Sequence, residues 1–149
     1  ELIEELKEQG YIKRDKGGKK KMKLAASKPM HFVSSTGADI YVGKNNRQNE
    51  ELTRTAPADA LWLHAKDMAG SHVIVLSQGL PEEKTLSEAA ALAAYFSKGR
   101  SSGKVPVDYV LRRYVKKPAG SPPGFVIFTN QRTLLAQPDG ELARALRKN

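Results

Sequence analysis

Five alanines occupy the six positions from Ala89 to Ala94, inside the run TLSEAAALAAYFSKG that starts at Thr85. At helical spacing Leu86, Ala89, Ala90, Ala93 and Phe96 share one face. A face made largely of methyl groups fills little space of its own. It is stable only against a second surface that comes close, and a flat β-sheet is such a surface. Thr85 and Glu88 have the spacing of a capping box after Pro81, and Gly99 suits a helix end, which predicts a helix over Leu86–Ser97.

The remaining sequence supplies strands. His31-Phe32-Val33 and Ile40-Tyr41-Val42 flank a turn rich in Ser, Gly and Asp, which predicts a hairpin. Asn45 followed by Gln48 is a second capping box, opening a polar helix to about Thr55 that Pro57 stops. From Ala60 to Asp67 the pattern alternates, with Leu61, Leu63 and Ala65 on one face and Trp62, His64 and Lys66 on the other. His72–Leu76 reads as a more deeply buried strand. Three further strands are expected across Val107–Lys117, Phe125–Phe128 and Thr133–Leu135. The tail from Pro138 fits either another helix or an extension. The order predicts an α+β fold: a single domain with a mainly antiparallel β-sheet packed by about two helices.

That domain is assigned to residues 29–149, and residues 1–28 have a different character. Glu1–Gln9 has the composition of the end of a coiled-coil helix, which Gly10 would terminate. Lys13–Lys23 then carries seven basic residues against Asp15 around a Gly-Gly pair, the signature of a mobile basic linker. Lys19, Lys20, Lys21 and Lys23 are assigned nonspecific phosphate contacts. A start at Glu1 in mid-helix, with no Met, suggests a piece of a longer protein.

The formal charge of +9 points to a polyanionic partner, with nucleic acid ahead of a membrane because no basic amphipathic helix is evident. Without cysteine, disulfide scaffolds, zinc knuckles and thiol nucleophiles are excluded. Ser71, His72, His64 and Asp67 invite a hydrolase triad, but Ser71 and His72 are strand neighbours that point apart, and no G-x-S-x-G elbow is present. His31, His64 and His72 match no helix-borne metal pair. No enzyme, cofactor or metal is expected.

Extended backbone across Val107–Lys117 would align Arg112, Tyr114 and Lys116 on one face, a stacking ring between two cations, with Arg113 and Lys117 on the other. The alternative is that Tyr114 belongs to the core and the cations defend an edge strand. The polar run Lys44, Asn45, Asn46, Arg47 either holds a phosphate at a helix start or merely caps that helix. Arg132 lies in a polar turn further on.

Three blocks, HFVSSTGADIYVGKNNRQNEELT from His31, ALWLHAKDMAGSHVIV from Ala60 and VPVDYVLRRYVKKPAGSPPGFVIFTNQRTL from Val105, resemble the NFACT-R domain. This is the C-terminal RNA-binding module of ribosome quality-control factors, whose bacterial members have also been labelled fibronectin-binding proteins. The resemblance runs from about Pro29 to Asp139. It implies, as partners, the large ribosomal subunit carrying peptidyl-tRNA, tRNA, and the N-terminal NFACT domain and coiled coil of the same polypeptide. It also implies a cytoplasmic, ribosome-associated location and support of alanine tailing. The Asp-Arg pair that tailing needs belongs to the N-terminal domain and is not carried over. On this reading Lys44, Asn45, Asn46 and Arg47 converge with Trp62, His64, Arg112 and Tyr114 on one RNA-facing surface, and Lys66, Arg113, Lys116, Lys117 and Arg132 are further candidate RNA-binding residues. The rival is an adhesion module with fibronectin as its partner at the cell surface.

Overall fold

The computed structural model describes residues 28–149, so the expected coiled-coil helix and the lysines assigned to the linker lie outside the described residues. Met30–Val33 (β1) and Asp39–Val42 (β2) form the expected hairpin, with Gly37 taking φ of 94° in its turn. Asn46–Thr55 (α1) follows, then Leu61–Ala65 (β3), Val73–Val75 (β4), Glu83–Tyr95 (α2) and Val105–Leu111 (β5). A single 3-10 turn at Arg112–Tyr114 leads to Val115–Lys116 (β6), Ile127–Phe128 (β7), Arg132–Ala136 (β8) and Gly140–Leu146 (α3). The fold is α+β.

The main sheet has the order β1-β2-β4-β3-β5-β8, and every neighbouring pair is antiparallel. β6 and β7 form a separate two-stranded ribbon. Strand alternation gives the sheet two apolar faces. On the first, Ile40, Val42, Leu61, Leu63, Val73, Val75, Val105 and Val107 pack under α2. Ala89, Ala90, Ala93 and Ala94 are fully buried there with Leu92, as an alanine face pressed to a sheet requires. α3 adds Ala143 and Leu146 beside it. On the second face, register aligns Ile74, Trp62 and Val110 across β4, β3 and β5. These form a smaller core with Ala60 and Val115, covered by Leu52 of α1 and by Val126 and Phe128 of the ribbon. Three layers result: helices, sheet, and a cover made of α1 and the ribbon.

Two local expectations give way to tertiary contacts. Thr85 and Glu88 do not cap α2, which starts at Glu83. Instead both Glu88 carboxylate oxygens accept from Ser35, one from its N–H at 2.9 Å and one from its hydroxyl at 2.7 Å. Thr85 Oγ1 meets Thr36 Oγ1, so the pair ties α2 to the first hairpin's turn. The strand expected to run to Lys117 stops at Leu111, and Phe125 lies outside the regular strand that follows. The C-terminal tail forms a bridge from Arg147 to Phe32, and the Lys148 N–H donates to His31 O. This occupies the outer edge of β1, while β8 is the terminal strand on the other side.

Candidate nucleic-acid interface

Gly43 lets the chain leave β2 tightly. A Cβ there would overlap Asn49 Oδ1, which instead accepts the His72 N–H at 3.0 Å. Asn45 then caps α1, its Oδ1 accepting from Gln48 N–H at 2.9 Å, while Gln48 Oε1 accepts the Lys44 N–H. The capping box predicted from sequence is therefore present, with its return bond made to Lys44.

Beside this cap lies an open groove of about 460 Å³. Lys44, Asn45 and Asn46 form one wall, the β3–β4 turn at Ala69–Ser71 contributes another, and the segment that follows α2, from Phe96 to Arg100, closes it. The turn and this segment are joined by backbone bonds, Ser71 N–H to Phe96 O and Lys98 N–H to Ala69 O. Three cations, Lys44, Lys98 and Arg100, border the groove, and its lining holds no carboxylate. Arg100 is held in place: its Nε donates to the Tyr95 carbonyl at 2.9 Å and its guanidinium lies 4.2 Å over the Tyr95 ring. An α-helix N-terminus and three cations around a concavity free of negative charge suit a phosphate.

The other polar residues of this layer brace the ribbon against α1. The indole N–H of Trp62 donates to His72 Nδ1 at 3.2 Å, and an indole can only donate. Nδ1 is thus the acceptor, also for the Thr53 hydroxyl at 2.7 Å, and Nε2 carries the proton that it gives to the Gly124 carbonyl at 3.0 Å. Burial, and then nearby His64, push the His72 pKa down to about 4 against the opposing Gly124 bond. Glu50 accepts the Gly124 N–H at 3.0 Å and pairs with Lys117 at 2.9 Å. Burial favours its neutral form, but the bonds to Lys117 and Gly124 and the charges of Lys117 and Arg54 outweigh that, so its pKa is lowered. Arg112 Nε donates to Thr53 O at the end of α1, and its Nη1 donates to Val115 O at 2.9 Å.

Residues 28–130 match the family described as the NFACT protein RNA binding domain. The chain belongs to that family. It is 47% identical to the Rqc2 homolog RqcH of Bacillus subtilis, with 100% of this chain covered, and 41% identical to that of Streptococcus pneumoniae. It spans only 26% and 27% of those relatives' lengths. Among solved structures, the C-terminal part of the fibronectin/fibrinogen-binding protein from Streptococcus suis superimposes with a TM-score of 0.81 at 40% identity, over 97% of this chain and 57% of that one.

The NFACT-R fold distributes the predicted residues unevenly. Lys44, Asn45 and Asn46 share the groove, and Arg47 is exposed on the next position of α1. Trp62 is not a surface ring: at 1% exposure it is the largest fully buried side chain, with Phe128 4.8 Å away across the second core. His64 stacks on Trp62 and is partly buried, and burial lowers its pKa. Lys66 sits 3.6 Å from the buried Asp108 carboxylate. Arg112 and Lys117 are engaged with carbonyls and Glu50, as scaffold. Arg113, Tyr114 and Lys116 are exposed, but the 3-10 turn breaks the alternation that was to align Arg112, Tyr114 and Lys116. Arg132 pairs in register with Tyr109 and so faces the α2 side of the sheet, opposite His64 and Asp108. Lys98 and Arg100 were not assigned from sequence. Their only signal was the basic character of a Ser/Gly loop after a helix.

Proposed function

We propose that this NFACT-R domain is the RNA-binding module of a ribosome quality-control factor. Its targets would be tRNA and rRNA of stalled large ribosomal subunits that carry peptidyl-tRNA. On this reading the domain is a binding module and not an enzyme, works in the cytoplasm on ribosomes, and supports alanine tailing only as part of a longer protein. The family supports RNA as the ligand. The observation that carries the reading is the groove at the start of α1, where Lys44, Lys98 and Arg100 converge without a carboxylate.

The test is binding of tRNA and of isolated large subunits across a salt series. Each of Lys44→Ala, Lys98→Ala and Arg100→Ala is expected to flatten the log-affinity against log-salt slope by about 0.7–0.9 for each phosphate left without its cation. Unchanged affinity and slope in all three variants would exclude the groove.

A second reading follows from the name of the Streptococcus suis relative, a fibronectin/fibrinogen-binding protein. Net charge of +9 attracts any polyanion, so the discriminating condition is salt. Fibronectin binding that survives high salt would favour adhesion, whereas loss at modest salt marks it as nonspecific charge attraction.

A further inference from the structure

The β6–β7 ribbon covers the second core with alternate side chains only. Val126 and Phe128 turn inward to that core, as does Val115 on the partner strand. Phe125 and Ile127, the intervening residues, are therefore directed outward, and they are 51% and 53% exposed. Lys116 is the register partner of Ile127, and Arg113 and Tyr114 adjoin β6, with Tyr114 37% exposed. Large apolar side chains clustered in the open need an occupant.

We propose that this outer face, with Phe125 and Ile127 beside Lys116 and Arg113, is a stacking platform for unpaired nucleotides. The proposal rests on the RNA-binding reading and adds to it a second contact surface with a preference for single strands. Charge selects the occupant: of the five cations from Tyr109 to Gln137, Arg113 and Lys116 are the exposed ones beside the apolar pair, whereas Arg112 and Lys117 are engaged with carbonyls and Glu50 and Arg132 faces the α2 side of the sheet. A protein-docking patch of this kind is usually depleted in lysine, whereas exposed rings among cations match bases on a phosphate chain. Rigidity points the same way. The loop before Phe125 is fixed by Gly124, whose N–H and carbonyl are bonded to Glu50 of α1 and to His72 just before β4. A platform held this way loses little conformational freedom when a base settles on it.

The experiment uses the whole chain with a fluorescein-labelled single-stranded oligo(A) of about 12 nucleotides, within the usual single-strand site size, and a blunt RNA duplex of equal length. Phe125→Ser is expected to weaken oligo(A) binding by about ten-fold with the salt slope unchanged, and to leave the duplex alone. Phe125→Trp should keep or improve oligo(A) binding, since it preserves the ring. Both variants should melt like the parent protein, because the side chain is exposed. Unchanged oligo(A) affinity in Phe125→Ser and Ile127→Ser overturns the platform, as does an equal loss for duplex and single strand. If those variants are silent while Lys44→Ala and Arg100→Ala lose affinity, the groove stands and the platform falls. If the unaltered chain binds neither RNA, the RNA reading falls and takes the platform with it.

Discussion

His72 decides how the second layer responds to acid. Its fold-stabilising form is the neutral one, because Nδ1 must accept from Trp62 and Thr53. In the unfolded chain the imidazole takes up a proton near its ordinary 6.5, and in the fold only near 4. Between those values the unfolded state holds more protons, so stability that is complete above 6.5 drains away as pH falls toward 4. The loss should be roughly 3 kcal/mol. His64, lowered by burial, shifts stability in the same direction. Urea unfolding at a series of pH values checks this, and a flat profile across that window would mean that His72 is charged in the fold. His72→Asn should start less stable and show a shallower slope, with the part due to His64 remaining. From sequence, His72 was legible as the start of a more deeply buried strand. Its partners were not, since Thr53 and Gly124 lie 19 and 52 positions away.

Among the elements, the 3-10 turn at Arg112–Tyr114 separates scaffold from surface. Arg112 spends its guanidinium on Thr53 O and Val115 O, joining the end of α1 to the start of the ribbon. Arg112→Ala should therefore cost about 1–3 kcal/mol of stability, as loss of a charged donor to buried carbonyls does, yet leave the salt slope of RNA binding unchanged. A slope that falls as it does for Lys44→Ala would return Arg112 to the interface. Alternation across Val107–Leu111 was readable because it belongs to a strand paired on both sides. It failed after Leu111 because a helix carbonyl competes for Arg112, and no local pattern announces that. The alanine face of α2 was readable for the opposite reason. Methyl groups have no use except close packing, so Ala89, Ala90 and Ala93 name their neighbour without needing to know its sequence.

For the molecule as a whole, the sheet divides two cores that are tied by different bonds. Glu88 fastens α2 to the hairpin turn through Ser35, whereas His72 fastens α1 and the ribbon through Thr53, Trp62 and Gly124. The two sets share no partner and belong to opposite faces. Destabilisation by Glu88→Ala, expected at roughly 1–3 kcal/mol, and by His72→Asn should therefore add to within about 0.5 kcal/mol in the double variant. A larger departure in urea unfolding would mean that strain passes through the sheet from one layer to the other. The overall α+β order was legible because each strand and helix carries its own period. The burial of Trp62 was not: from Ala60 to Asp67 alone its face looks solvent-exposed, and the cover arrives with Val126 and Phe128 more than sixty residues later.

Trp62 is also the chain's single tryptophan. Its ring is enclosed by His72, His64 and Phe128, all on one side of the sheet. Intrinsic emission excited at the indole band is thus a private signal from the cover, blind to α2, while far-UV circular dichroism is dominated by the helices. If the ribbon lifts before the rest unfolds, emission will shift to the red while ellipticity holds. The protein therefore carries its own optical probe for whether its two cores open together or in turn.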